Sequence, residues 1–340
     1  MKILAVLMKY DYGIETRGYS FEYNNVYMPL SDVFGSENVL LFDFMHEIKV
    51  LGRDGMNKKL LETVRTEKPD AAVFCLFEDE FDPATVEQLK EYTATAAYFF
   101  DDPWRQKYVR QWIPHFSYFS TPDYYMYLQY KSEGISNVVY SPFGFNTKVY
   151  VKKDLPVKYD VSFVGGYSPL RGWTVHMLER SGIHVHVFGR GWGGKNSWVS
   201  QDEVIDIINQ SKINLNLSNG ISYDANFLLY SLRSPQAIKD ILLLKKHREQ
   251  VKGRHFEING CGGFQLSYYV QSLNTVYEID REIAVFDNIY TLADTIRYFL
   301  RDDALRSSIA SAGYERSQKF HSAQGYISNL ITSITNTTEL

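Results

Sequence analysis

The densest chemistry in the sequence lies in Lys252-Gly253-Arg254-His255-Phe256-Glu257-Ile258-Asn259-Gly260-Cys261-Gly262-Gly263-Phe264-Gln265-Leu266. A short helix here would carry the Glu257 carboxylate on one face. The paired glycines that follow let a backbone approach a ligand with no Cβ in the way. That combination suits a ribose and a diphosphate. Arg171 comes after an apolar run ending in Gly165-Gly166 and opens a helix, where free N–H groups and the dipole favour an anion. Its guanidinium can take two diphosphate oxygens at once, although a surface salt bridge is the plainer role. Arg254 and Lys252 are weaker anion ligands, since either can simply brace the Glu257 helix.

Carboxylates form a second set. Asp101 and Asp102 follow Ala97-Tyr98-Phe99-Phe100, so they should emerge at the C-terminal end of a strand, the usual place for ligands in such sheets. They can contact an acceptor or serve as general base, or Asp102 can cap a helix begun by Pro103. Because they are adjacent, they are not a metal-binding Asp-x-Asp pair. Glu78, beside Asp79 and Glu80, is the second choice. Glu249 and Glu257 are separated by seven residues, but Lys245-Lys246-His247-Arg248-Glu249 reads as the end of a polar helix, which puts Glu249 on a solvated face. His115, His247 and His321 read as surface or helix-end residues. No histidine or cysteine spacing suits a metal, and Cys75 and Cys261 suggest neither a disulfide scaffold nor a zinc site.

These residues need a scaffold. A chain of 340 residues exceeds the usual single core, so two domains are expected. In the first half, residues 2–8, 38–44, 70–77, 95–100, 116–121 and 137–141 read as strands alternating with helical patterns such as Met56, Leu60, Leu61 and Val64, which predicts a parallel sheet covered on both sides. A second series opens at 159–165 and continues at 184–189 and 213–217, after a polar, proline-punctuated linker at 151–156. Three helical patterns close the chain, and a Tyr- and Leu-rich insertion fills 219–251. The expected domains are 1–150 for an acceptor, 151–315 for a donor, and a helix over 316–340 crossing back to the first domain. Two doubly wound domains of this kind should face each other across a cleft.

Composition narrows the class. A net charge of −4 gives no basic footprint for nucleic acid. The apolar opening stops at Lys9 and Asp11, too early for a signal peptide, and no apolar run is long enough to span a bilayer. A cytoplasmic location is expected, with any membrane contact peripheral. The loop at 12–20 lacks Gly-x-Gly-x-x-Gly, so a dinucleotide dehydrogenase lacks its phosphate fingerprint.

The Arg254-to-Phe264 stretch resembles the group 1 glycosyltransferases, most closely their spore-maturation-protein-like branch. Further segments resemble that branch in the same order: Phe99-Phe100-Asp101-Asp102-Pro103, Ser141-Pro142-Phe143-Gly144, Tyr159-Asp160-Val161-Ser162-Phe163-Val164-Gly165-Gly166 with Arg171, Val187-Phe188-Gly189-Arg190-Gly191-Trp192, and Ala312-Gly313-Tyr314-Glu315-Arg316. The resemblance implies a fold of two Rossmann-like domains (GT-B) and transfer of a sugar from a nucleotide donor; with no metal-ligand cluster in the sequence, that transfer is expected to be metal-independent. By that resemblance Glu257 would bind the donor ribose, its carboxylate accepting from two vicinal hydroxyls. The Gly262-Gly263-Phe264 backbone would lie beside the phosphates, with Arg171, Arg254, Gly165 and Gly189 on the same donor side. No cofactor beyond the nucleotide sugar is expected. A nucleotide-sugar epimerase and a non-catalytic sugar- or nucleotide-binding protein share the fold and are the alternatives. The insertion could bear specificity or an oligomer contact.

Overall fold

The structure is a computed structural model that describes residues 1–193, 198–243, 246 and 248–335. The chain divides into two units, Met1–Val149 together with the segment from His321, and Tyr150–Phe320.

The first unit is a parallel sheet of β1 (Ile3–Leu7), β2 (Val39–Asp43), β3 (Ala71–Phe74), β4 (Ala94–Tyr98), β5 (Tyr118–Thr121) and β6 (Val138–Tyr140), in the order β2-β1-β3-β4-β5-β6. Its connections carry α1 (Met28–Phe34), α2 (Phe44–Glu67), α3 (Pro83–Leu89), α4 (Gln106–Trp112) and α5 (Tyr124–Ser132). All of β1 is buried, as an unbroken apolar run in a parallel sheet requires. Leu4 and Val6 pack with Leu60 and Phe74 on one face, while Ile3, Ala5 and Leu7 pack on the other with Ile327, Leu330, Ile331 and Ile334. Those last four lie one helical turn apart in sequence, and burying each stabilises the unit by about 1.5–3 kcal/mol. Between β1 and α1 the chain makes 3₁₀ turns at Asp11–Gly13 and Glu15–Arg17 and a π-helical turn at Tyr23–Tyr27.

The second unit is a parallel sheet of β7 (Tyr159–Val164), β8 (His186–Phe188), β9 (Ser211–Asn216), β10 (Gln265–Tyr268) and β11 (Ala284–Phe286), in the order β11-β10-β9-β7-β8. The sequence pattern names only the first three of these. β10 hides its role behind Gln265 and Ser267, yet Leu266 pairs with Leu215 on one side and Ala284 on the other, and both polar residues are buried. The helices are α6 (Pro169–Arg180), α7 (Gln201–Asn209), α8 (Ala225–Ser231), α9 (Pro235–Leu242), α10 (Gly253–Gly260), α11 (Leu273–Val276), α12 (Ile289–Arg301) and α13 (Asp303–Phe320). α13 is continuous to Phe320, so the unit passes the expected limit at 315, and α14 (Ala323–Thr335) supplies the isoleucines buried in the first unit.

Two glycines set the strand ends of the second unit. Gly189 has φ +125, and a Cβ there would lie 2.5 Å from the Gly165 carbonyl oxygen. The Gly165 amide in turn donates to the Phe188 carbonyl at 2.8 Å. These glycines therefore close β7 on β8. Gly189→Ala is expected to cost on the order of 1–3 kcal/mol in backbone strain alone, visible as a lower Tm by circular dichroism.

Candidate functional site

At the C-terminal ends of β7, β9 and β10 the second unit gathers four cations. Arg171, in the first turn of α6, donates through Nε and Nη2 to the Leu217 carbonyl, both at 3.2 Å, and through Nη1 to the Gly166 carbonyl at 2.8 Å. A guanidinium has five N–H groups, so one on each Nη remains for a ligand. Burial pulls Arg171 down to about 10, and neighbouring Arg254 adds to the shift. Lys252, the N-cap of α10, donates to Asn219 Oδ1 at 2.6 Å and to Glu249 Oε2 at 2.9 Å, and Lys246 reaches the same Asn219 oxygen at 2.7 Å. Burial lowers Lys252 to about 7, opposed by the attraction of Glu249 and reinforced by repulsion from Lys246 and Arg171. Two lysines and an arginine around one carboxylate leave the cluster short of negative charge.

Glu249 is therefore not on a solvated helix face. Residues 248–250 lie outside any helix, and Glu249 is mostly buried, accepting from the Ser218 hydroxyl and from Tyr268 Oη at 3.4 Å. Burial alone would raise it, but Lys252, Lys246 and Ser218 hold it at about 2. Of the residues expected to form a polar helix before it, Lys245 and His247 lie outside the described residues.

Glu257 is buried in α10, its Oε1 accepting from Tyr150 Oη at 2.7 Å and its Oε2 lying 3.0 Å from Arg254 Nη1. A carboxylate offers about four acceptor positions, so two stay open. The glycines after it act differently from expectation. The Gly262 amide donates to Asn259 and the Gly263 amide to Ile258, with Gly262 at φ +72, which is a Schellman cap of α10. A Cβ on Gly263 would meet Ile208 and Asn214 at 2.8 and 2.9 Å, and Phe264 is core, its ring tilted against that of Phe299. The paired glycines end the helix and pack it on β9; their amides are already spent. The amides that lack an intrahelical acceptor are at the other end of α10, Gly253 and Arg254, beside Lys252. There His255 Nδ1 accepts from the Lys252 amide at 3.0 Å, and burial lowers this histidine to about 3, so it stays neutral.

The first unit has its own cavity of about 230 Å³ at the ends of β1, β3 and β4, walled by Tyr12, Phe21, Phe77 and Phe100 and carrying Glu22 and Asp101. Asp101 Oδ1 accepts from Trp104 Nε1 at 3.0 Å. Glu22 was not apparent from the sequence, because the helical turn it belongs to carries no motif. The π-helical turn that begins after it is the one signal, visible only in the fold. Burial raises the Glu22 carboxyl to about 7, with Asp11 and Asp101 adding to the rise. Tyr12, also on the wall, has φ +54, a strained backbone of the kind found at functional sites.

Asp102 turns the other way. It is fully buried, its Oδ1 accepting from Tyr130 Oη at 2.7 Å, so it faces the protein interior and not the cavity. Nor does it cap a helix begun by Pro103: residues 102–104 form a turn, and the N-cap of α4 is Arg105. Burial lifts Asp102 to about 6 against the Thr121 and Tyr130 hydroxyls. The folded state thus holds this proton more tightly than the unfolded chain, and stability should fall as pH rises from about 4 to 6. Asp102→Asn, which keeps an oxygen for Tyr130, is expected to flatten that part of the Tm profile. Glu78 is exposed and outside the cavity; buried Glu80 accepts from the Phe77 and Glu78 amides, both at 2.6 Å, and orders that loop. His321 stands at a helix end, directly after α13, but it is buried rather than on the surface and bonded to Tyr326 Oη at 2.6 Å. Among the described residues no three His, Cys, Asp or Glu side chains converge on a metal position.

Two parallel, doubly wound sheets of six and five strands define the two-Rossmann architecture of the GT-B type. A family model described as "Glycosyl transferase-like" matches residues 171–332. Among solved structures, a sucrose-phosphate synthase from Thermosynechococcus elongatus superposes with a TM-score of 0.65 at 10% identity, covering 100% of each chain. HepE of Anabaena in complex with UDP-glucose gives 0.65 at 8% identity, over 99% of this chain and 100% of the other. A glycosyltransferase from Rickettsia africae gives 0.61 at 10% identity, over 98% of each. No curated protein sequence matches the chain.

Proposed function

We propose that the protein is a glycosyltransferase that takes a sugar from a nucleoside-diphosphate donor held by the second unit. The observation that carries this reading is the convergence of Arg171, Lys252 and Lys246 with the open amides of α10, one helical turn from the Glu257 carboxylate. Cations and a helix N-terminus suit a diphosphate, and a carboxylate with open acceptor positions suits the two ribose hydroxyls. The match of residues 171–332 to a glycosyltransferase-like family supports the same class, and the ordered motifs support the spore-maturation-like branch. A UDP-sugar is the first donor to try, since HepE, similar in fold, was solved with UDP-glucose.

In this mechanism the cation cluster stabilises the departing diphosphate, the step in which negative charge develops. Chain cations do the work for which other enzymes recruit a metal, so donor binding should persist in chelator. The acceptor sits in the aromatic-walled cavity of the first unit. There Asp101 positions its hydroxyl and Glu22, with a carboxyl near neutrality, takes the proton.

A thermal-shift panel of UDP, GDP, ADP, CMP and dTDP, with EDTA present, tests the reading. One diphosphate at about 100 times its Kd should stabilise the protein by about 2.7 kcal/mol. No shift with any of them, or a shift only with added Mg²⁺ or Mn²⁺, would count against the donor site as drawn. Incubation with the donor alone separates transfer from epimerisation, which would yield an isomeric nucleotide sugar without an acceptor.

A further inference from the structure

The insertion between β9 and α10 forms α8 and α9. α8 anchors through Phe227, packed with Leu170 and Trp173, and turns its other face outward. That outer face reads Ala225, Leu228, Leu229, Leu232, the i, i+3, i+4, i+7 stripe of an amphipathic helix, but it is exposed rather than buried. Leu229 and Leu232 are 64% and 67% exposed, and α9 ends on Leu242, at 75%. Tyr223 precedes α8 and is exposed as well.

Charge on the same insertion is one-sided. Among the described residues of 220–250, the exposed charged side chains are Arg233, Lys239 and Arg248, all cationic. The carboxylates are engaged within the unit: Asp224 caps α8 and accepts from Tyr290 Oη at 2.9 Å, Glu249 belongs to the donor cluster, and Asp240 is half-buried. A chain with net charge −4 thus presents a basic, leucine-rich projection.

We propose that this α8–α9 insertion docks the protein onto an anionic lipid surface, leucines entering the acyl boundary and Arg233, Lys239 and Arg248 meeting headgroups. Exposed leucines flanked by basic side chains are the signature of a helix lying in a membrane interface. Among the described residues no helix is long and apolar enough to cross a bilayer, so the contact is in-plane. A second copy of the chain is a poorer occupant. Two copies would bring like charges together, and the stripe offers on the order of a few hundred Å², short of the roughly 800 Å² per partner of a stable interface.

The test is co-sedimentation of the full chain with vesicles of phosphatidylcholine alone and with about 30% phosphatidylglycerol, at about 0.1 M and 0.5 M salt. Binding is expected to the anionic vesicles and to weaken at the higher salt. Leu229→Ser with Leu232→Ser should lower partitioning by about a hundredfold or more. Arg233→Gln with Lys239→Gln should lower it by about thirtyfold, and that pair is a surface change that keeps the proposal testable if the leucine variant folds poorly. UDP affinity and Tm should stay as in the wild type in both, which keeps this result separate from the donor-site reading. No pelleting with anionic vesicles, or equal pelleting with pure phosphatidylcholine, would overturn the proposal. So would a wild-type dimer in light scattering that the leucine variant converts to monomer, since the second copy would then be the occupant.

Discussion

Arg171→Ala should weaken UDP binding by roughly 10- to 150-fold while leaving uridine binding nearly unchanged. Two N–H groups of Arg171 remain after its bonds to Leu217 and Gly166, and a hydrogen bond to a charged group contributes about 1.5–3 kcal/mol. Only the diphosphate presents the oxygens that take them. Because the same side chain braces the loops after β7 and β9, the variant should also lose some Tm, and the comparison of UDP with uridine by calorimetry isolates the phosphate contribution. Equal losses for the two ligands would reduce Arg171 to a brace. Lys252 adds a pH signature. With its pKa lowered to about 7 in the free protein, an arriving anion must restore its proton, so UDP affinity should fall as pH rises from 7 to 9. The UDP diphosphate, whose last ionisation lies at about pH 6, only gains negative charge as pH rises and so cannot cause the fall, and Lys252→Gln should remove the dependence.

Glu22→Gln should slow transfer by about 100- to 10,000-fold with donor affinity untouched, the range for a base acting in the transition state. A base must be deprotonated, so the wild-type rate should rise with pH through about 7. The charged neighbours that set this value are Asp11 and Asp101, both on the cavity wall with Glu22, so Asp101→Asn should shift the limb to lower pH. A Glu22→Gln enzyme with the wild-type profile would remove Glu22 from the chemistry. An unchanged rate in Asp102→Asn is expected as well, since that carboxylate faces Tyr130.

The six strands of the first unit were legible because a buried parallel strand must be apolar along its whole length, as Ile3-Leu4-Ala5-Val6-Leu7 is. β10 and β11 were not, since four and three residues give too short a pattern and Gln265 and Ser267 break it. Arg171 and Glu257 could be singled out from residue type and order. What the glycines do could not: Gly262-Gly263 suit a phosphate loop and a Schellman cap equally well in sequence, and only the carbonyls of Ile258 and Asn259 decide it. Asp101 and Asp102 are adjacent, yet the chain turns between them, sending one to a cavity and the other to Tyr130. Glu249 looked solvated among basic neighbours, whereas Lys246 from among them, together with Lys252 three residues on, holds it in the cluster. Glu22 depends on a helical turn, running into the π-helix at Tyr23–Tyr27, that no local pattern announces.

The central claim is that the Arg171–Lys252–α10 cluster and Glu257 together hold the donor nucleotide. Titration calorimetry of UDP into the wild-type chain and into Glu257→Gln, both in EDTA and both shown folded by circular dichroism, tests it most directly. Loss of the charged hydrogen bonds to ribose should raise Kd by roughly 10- to 150-fold in the variant. Identical binding by the two proteins, or wild-type binding that vanishes in EDTA, would contradict the account.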